Sequence, residues 1–241
     1  MPDQDFTPKR VLAVAAHPDD IDFGFAGSIA KWAQTGAEIY YLIITDGSKG
    51  TDDRSIEAAK LIKIREDEQR AAAKLLGAKK VFFLGYPDSE LMITAELKKQ
   101  VTRYIRQLKP DTVLVMDPTM IYSNVRGFGF INHPDHRVAG QVTLDAIFPL
   151  ARDHLTFPDL LTEGLEPHKV STVLMINFEK HNFAVDIGST LEKKLSALAF
   201  HTSQMPDLNA TQQMVKGWAE TSGKHYGYKY AEAFVRLDIR P

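Results

Sequence analysis

The feature that most constrains the fold is the run from Val11 to Ala16, apolar throughout and bounded by Lys9 and Arg10 before it and by Pro18 after it. A short apolar run punctuated at both ends fits a strand buried on both faces. It stops at His17-Pro18-Asp19-Asp20, so its carboxyl end carries one imidazole and two carboxylates. Pro18 fixes φ and removes a backbone donor, which stiffens that turn. Asp22 and two small breaks, Gly24 and Gly27, lead into an amphipathic stretch from Ser28 to Gly36, giving the first half of a βαβ unit. In open α/β sheets, ligands collect at the carboxyl ends of strands. One aspartate could serve only to cap the following helix. Capping does not account for His17 and a second aspartate beside it.

The alternation continues along the chain. Glu38 to Thr45 reads as a second buried strand, ending in the turn-rich Asp46 to Gly50. Ser55 to Leu76 reads as a helix that Gly77 stops. A third strand over Lys80 to Gly85, a helix over Thr94 to Leu108 and a fourth strand over Thr112 to Met116 follow. Residues Thr119 to Asn132 are irregular, with Phe128 and Phe130 beside Gly127 and Gly129, and a connection this long in a domain is usually functional or mobile. After His133-Pro134-Asp135-His136 comes a helical run to Ala151, then a loop-like stretch from 153 to 168. Val170 to Asn177 and Asn182 to Ile187 read as strands, Leu191 to His201 and Thr211 to Thr221 as helices, and the end from Tyr228 as a closing strand. This pattern predicts an α/β fold, a parallel sheet with helices on both faces, whose site lies at the carboxyl ends of the strands. Val170 to Ile187 has no long helix between its strands and is expected as a small antiparallel C-terminal extension. Residues 1 to 9 read as a loose polar lead. Without a repeat or a linker, residues 1–241 are expected to form a single domain.

Composition removes several classes of function. A net charge of −2 with no basic block argues against nucleic-acid binding through phosphate neutralisation. The absence of cysteine excludes disulfides and thiolate sites, so any metal must be held by His, Asp or Glu. It also fits a cytoplasmic protein. No window reaches the roughly 18 apolar residues of a membrane span, and the start has no stretch of signal-peptide length. The first βα turn lacks GxGxxG, which argues against a dinucleotide cofactor.

His133 to His136 repeats the logic of His17 to Asp20 further along the chain. Read alone, it is also a helix start with Asp135 as cap. If the two preceding strands are neighbours at a switch point, both loops meet. His17, Asp20 and His136 could then hold one metal ion with positions left open for water and substrate. Asp19, His133 and Asp135 would stand near it, free for other work.

AHPDD after the first strand and HPDH before a helix resemble the LmbE/PIG-L family of metal-dependent N-deacetylases. IREDEQRAAAKLLGA resembles that family's second helix, and DIGSTLEKKLSALAFHTSQ and YAEAF its C-terminal segments. The resemblance implies a Rossmann-like fold, a zinc ion (iron in some members), and hydrolysis of an acetamide on an N-acetylglucosamine-type sugar or glycoside. It implies a homo-oligomer as well, since the family forms trimers or hexamers. His17, Asp20 and His136 resemble the metal ligands. Asp19 resembles the general base, His133 the group that stabilises the tetrahedral intermediate, and Asp135 its orienter. Arg65 resembles a substrate-side arginine, although its helix charges alone read as a solvated ion-pair face. The Thr119 to Asn132 stretch departs from the family pattern. Rival readings are a metal-dependent amidase or esterase on a non-sugar substrate, and a non-catalytic sugar-binding protein. Retention of Asp19 and all three ligands weighs against the second. Asp46 and Ser48 end the second strand and could touch substrate or only shape a turn. His201, Ser203 and Gln204 read as a polar cap, and His154, His168, His181 and His225 as solvated.

Overall fold

The computed structural model describes residues 6–124 and 129–239. In chain order it contains β1 (Arg10–Ala15), α1 (Asp20–Gln34), β2 (Glu38–Thr45), α2 (Ala58–Leu76), β3 (Lys80–Tyr86), α3 (Ala95–Leu108) and β4 (Thr112–Met116). There follow β5 (Tyr122–Ser123), β6 (Phe130–Ile131), α4 (Pro134–Asp145) with a wider turn over Ala146–Leu150, and the short α5 (Pro158–Thr162). The chain closes with β7 (Thr172–Ile176), β8 (Phe183–Asp186), α6 (Leu191–Leu198), α7 (Leu208–Tyr226) and β9 (Ala231–Asp238).

The strands assemble in the order β3-β2-β1-β4-β7-β9-β8. β1, β2, β3, β4 and β7 are parallel, while β9 runs antiparallel to both β7 and β8. From β1 the chain builds outward through β2 and β3, then returns to the other side of β1 with β4. The crevice where ligands collect therefore opens at the carboxyl ends of β1 and β4, where His17 emerges.

β1 is buried on both faces, and its alternating side chains divide between two cores. Val11, Ala13 and Ala15 pack with Ile21, Phe25 and Ile29 of α1. Leu12, Val14 and Ala16 pack with Leu97, Val101 and Ile105 of α3 and Val142 of α4. At roughly 1.5–3 kcal/mol for each large apolar side chain taken from water, this two-sided burial outweighs any local preference of the loops. It fixes the height of the β1 tip.

The structure differs from the sequence expectations at several points. α1 begins at Asp20, so Gly24 and Gly27 lie inside the helix rather than before it. A β-carbon at Gly24 would sit 1.9 Å from Ile176 Cδ1, and one at Gly27 would sit 2.8 Å from Ile187 Cγ2. The glycines let helix and sheet approach closely; they do not break the helix. α1 is also engaged mid-length by a buried ion pair. Lys194 Nζ donates to Glu232 Oε1 (2.5 Å) and to the Phe23 carbonyl (2.6 Å), and Glu232 accepts from the Gly27 and Ser28 amides (3.0 and 2.8 Å). β7 joins the parallel sheet instead of the antiparallel extension, which consists of β9 and the edge strand β8. The irregular stretch holds the small β5–β6 hairpin, and the expectation on Phe128 falls outside the described residues. Phe6 is not loose: its ring meets Trp32 and Phe183 edge-on at 6.0 and 5.5 Å.

Candidate active site

Each of the two motifs is placed by local geometry. The loop after β1 turns through Asp19, whose φ of 92° and ψ of −33° are rare for a residue with a β-carbon. Strain of this kind persists only when its surroundings hold it. The Asp19 amide donates to Gln69 Oε1 at 2.8 Å, and the Asp20 carboxylate turns back to accept from the His17 amide at 2.8 Å. α4 starts at Pro134, a residue well suited to a first helical position. His133 caps it, its Nδ1 accepting from the Asp135 amide at 3.2 Å.

The two loops bring three donors together. His17 Nδ1 and His136 Nε2 are 3.2 Å apart, His136 Nε2 and Asp20 Oδ1 are 3.1 Å apart, and His17 Nδ1 and Asp20 Oδ2 are 3.5 Å apart. Around a four-coordinate ion with bonds of about 2.0–2.2 Å, tetrahedral geometry separates ligand atoms by roughly 3.3–3.6 Å. The observed spacings of 3.1–3.5 Å lie within about 0.2 Å of that range. The two-nitrogen, one-carboxylate set suits zinc or ferrous iron.

The outward nitrogens are tied down as metal-ligating imidazoles require. His136 Nδ1 lies 3.0 Å from Asn132 Oδ1. His17 Nε2 lies 3.3 Å from both Asp88 Oδ1 and Asp135 Oδ2. With a metal ion bound, these acceptors would hold the remaining hydrogen on the outer nitrogen of each ring and leave the inner lone pairs to the ion. The site is also strongly anionic. Burial works to lower the His17 pKa, but Asp135, Asp20 and Asp88 outweigh it and push it up to about 12. Burial works to raise Asp20, yet His136 and His17 hold it well below the usual carboxylate range. A group of carboxylates that stabilises positive charge this strongly is ready for a cation.

Asp19 stands apart from the three donors. Burial, together with Asp20, pushes its pKa up to about 6, against the opposing pull of Arg65. Arg65 itself departs from expectation. It is buried, with Nη1 donating to the Gly47 carbonyl (2.9 Å) and Nη2 to the Pro18 carbonyl (2.8 Å), and Nη2 lies 3.4 Å from Asp19 Oδ2. It braces two loops and the Asp19 carboxylate and is not a solvated ion-pair face. Asp135 also differs. Its carboxylate accepts from the Ser89 and Leu91 amides and faces His17, so it orients His17 and not His133. Burial, together with His17, holds the His133 pKa below its ordinary value.

Several residues that sequence reasoning passed over complete the site. Asp88 has a signal in the chain: Pro87-Asp88 follows β3 as Pro18-Asp19 follows β1. Gln69 links Asp19 to Asp22, donating to Asp22 Oδ2 at 2.8 Å, and His201 Nε2 lies 2.7 Å from the same oxygen. His201 is thus a buried anchor rather than a polar cap. Its pKa is lowered by burial but raised overall by Asp22. Asp46 accepts from the Ser48 and Asp88 amides, which makes it a turn brace. His168 is half-buried on the Pro110 carbonyl and His181 pairs with the Tyr226 hydroxyl, so neither is simply solvated. No helix among the described residues is long and apolar enough to cross a membrane.

Comparison with known proteins is consistent with this architecture. The family model for PIG-L, GlcNAc-PI de-N-acetylase, matches residues 12–147. The chain is similar to the diacetylchitobiose deacetylase of Thermococcus kodakarensis, 35% identical over 226 residues covering 93% of this chain and 81% of the relative. It is similar to a 1D-myo-inositol 2-acetamido-2-deoxy-alpha-D-glucopyranoside deacetylase of Mycobacteroides abscessus, 28% identical, with 83% and 82% covered. Among solved structures, the N,N'-diacetylchitobiose deacetylase of Pyrococcus horikoshii superposes with a TM-score of 0.87 at 32% identity, covering 96% of this chain and 84% of that one.

Proposed function

The chain belongs to the PIG-L family of GlcNAc-PI de-N-acetylases, and from that premise we propose that it is a zinc-dependent hydrolase that removes the acetyl group from an N-acetylated amino sugar or glycoside. The observation that carries this reading is the convergence of His17 Nδ1, His136 Nε2 and the Asp20 carboxylate within 3.1–3.5 Å, with Asp19 one residue away. The whole chain, residues 1–241, is taken as one catalytic unit.

In this reading His17, Asp20 and His136 hold the ion. A bound divalent metal of this type polarises a carbonyl oxygen and lowers the pKa of water, so that a nucleophile is available at neutral pH. Asp19 takes the proton from the attacking water. Its strained backbone and the Gln69 tether aim the carboxylate, and Arg65 keeps it from swinging away. His133 is the donor. Its Nδ1 is occupied by the Asp135 amide, so Nε2 bears the hydrogen offered to the developing oxyanion. Asp19, once protonated, passes that proton to the departing nitrogen as the C–N bond breaks. The products are acetate and a free amine. Asp88 and Asp135 act through His17, fixing its tautomer.

The test is a panel of N-acetylated amino sugars and glycosides incubated with protein loaded with one equivalent of zinc, with primary amine and acetate measured together. Stoichiometric release that a chelator abolishes and zinc restores is expected. Ester cleavage without amide cleavage would overturn the reading.

A further inference from the structure

The metal-ligand cluster opens on one side into a cavity of about 310 Å³. Asp20 and His136 form part of its wall, and the rest is mostly apolar, including Phe130, Ile176, Phe178, Met214, Trp218 and Ala219. Asp19 and His133 are not among its lining residues. Small-molecule pockets begin at about 300 Å³, so this space is far larger than the methyl of an acetyl group needs.

Most polar side chains in the wall, which also include Ser222 and His181, are already committed; His181 Nδ1 pairs with the Tyr226 hydroxyl. Lys194 and Glu232 bond each other, the Phe23 carbonyl and the Gly27 and Ser28 amides. Asn177 donates to Asp117 and accepts from the Glu179 and Lys180 amides. A sugar ring buried among these groups would lose water from its hydroxyls without recovering the hydrogen bonds, a loss that burial of polar groups makes costly. An apolar chain loses nothing and gains roughly fourfold per buried methylene, from about 0.8 kcal/mol each.

The positions of the proton-handling groups decide which part of a substrate lies there. The departing nitrogen must face Asp19 or His133 to receive its proton. The acyl substituent, on the other side of the carbonyl carbon, then points past Asp20 and His136 into the cavity. We propose that this cavity is an acyl pocket and that the protein cleaves N-acyl amino sugars whose acyl chain is longer than acetyl, in the range of butyryl to hexanoyl. The inference rests on the amide-hydrolase reading above. Bond for bond the reaction is the same: the water oxygen joins the acyl carbon, the C–N bond breaks, the nitrogen takes a proton, and a fatty carboxylate and a free amine leave.

The experiment compares N-acetyl-, N-butyryl- and N-hexanoylglucosamine, with amine release as readout, for the zinc-loaded wild type and two variants. Ala219→Phe fills the cavity from α7, and Met214→Trp narrows it nearer the exterior. Expected is a kcat/KM for the hexanoyl substrate equal to or above that for acetyl in the wild type. Each variant should lose at least tenfold on hexanoyl with acetyl turnover held within about twofold. Measuring two positions keeps the test open if one variant fails to fold. Active acetyl turnover with inert longer amides would overturn the acyl pocket alone, as would an equal loss on all three substrates. Inactivity on all three in the wild type would instead overturn the amide-hydrolase reading beneath it.

Discussion

Replacing Gln69 with leucine separates the arming of Asp19 from the binding of metal. Gln69 is fully buried and makes two hydrogen bonds of 2.8 Å, accepting from the Asp19 amide and donating to Asp22 Oδ2. Leucine is close in size and offers neither. The Asp19 amide is left without its acceptor, at about 1–3 kcal/mol, and the Asp22 carboxylate loses one donor, at about 1.5–3 kcal/mol. Allowing for leucine's apolar gain, the net loss is about 3 kcal/mol. That corresponds to roughly 6–12 °C in Tm for a chain of this size. The functional effect comes from the backbone. Freed from its tether, Asp19 relaxes from φ 92°, and a shift of about 1 Å in a reacting group costs roughly 10²-fold in rate. Elemental analysis should find normal zinc in Gln69→Leu, while kcat on an N-acetylglucosaminide falls by about 10² at a KM changed little. Gln69→Glu restores the acceptor for Asp19 and should recover part of kcat despite comparable destabilisation. Wild-type kcat in Gln69→Leu, or a Tm within about 2 °C of wild type, would refute the tether.

Other outcomes follow from the same geometry. His136→Ala should lose most of its metal, which dialysis followed by elemental analysis will detect, because two remaining donors do not hold the ion. Asp19→Asn tolerates the same positive φ and should keep its metal while kcat drops roughly 10²- to 10⁴-fold. For His201, the folded pKa is raised above the unfolded value of 6.5, so its contribution is fully present below pH 6.5 and is lost as pH rises through the folded pKa. Denaturation of His201→Gln beside wild type should therefore show a stability gap that narrows from pH 6 to pH 9. Gly24→Ala must displace Ile176, whose Cδ1 would stand 1.9 Å from the new methyl, and a loss of about 1–3 kcal/mol is expected in urea unfolding.

The parts of this molecule that the sequence revealed are those written locally. β1 and β4 are buried on both faces, so each is apolar after its first residue. The strands are neighbours at the switch point, which brings together His17 and His136, two strand-end motifs far apart in sequence. What escaped depends on distant partners. Arg65 sits in a helix with the charge pattern of a solvated face, and only the approach of Gly47, Pro18 and Asp19 makes it a buried brace. His201 follows α6 like any polar cap, and its role is set by Asp22 on the far side of the core. Gly24 and Gly27 read as punctuation because glycine serves both as breaker and as contact point, and local sequence does not distinguish the two. The short connection between Val170–Asn177 and Asn182–Ile187, with no long helix, reads as an antiparallel pair, and local sequence does not show that β7 pairs with β4 instead. Its parallel register with β4 is that of a βαβ unit whose crossover runs through α4, and the strand is buried on both faces.

The insertion of β9 between β7 and β8 has a consequence for how the molecule is made. Synthesis proceeds from the amino end, so His17, Asp20 and His136 have all been made by residue 136. The strand that separates β7 from β8 is among the last segments to appear. Until it arrives, β7 keeps an open edge, and Lys194 waits opposite α1 without the Glu232 carboxylate that neutralises it. A nascent chain therefore carries every ligand and an incomplete cavity wall. Ribosome-bound chains halted at residue 229 should capture zinc weakly, remain open to protease at β7, and release no amine until the final strand has slotted into place.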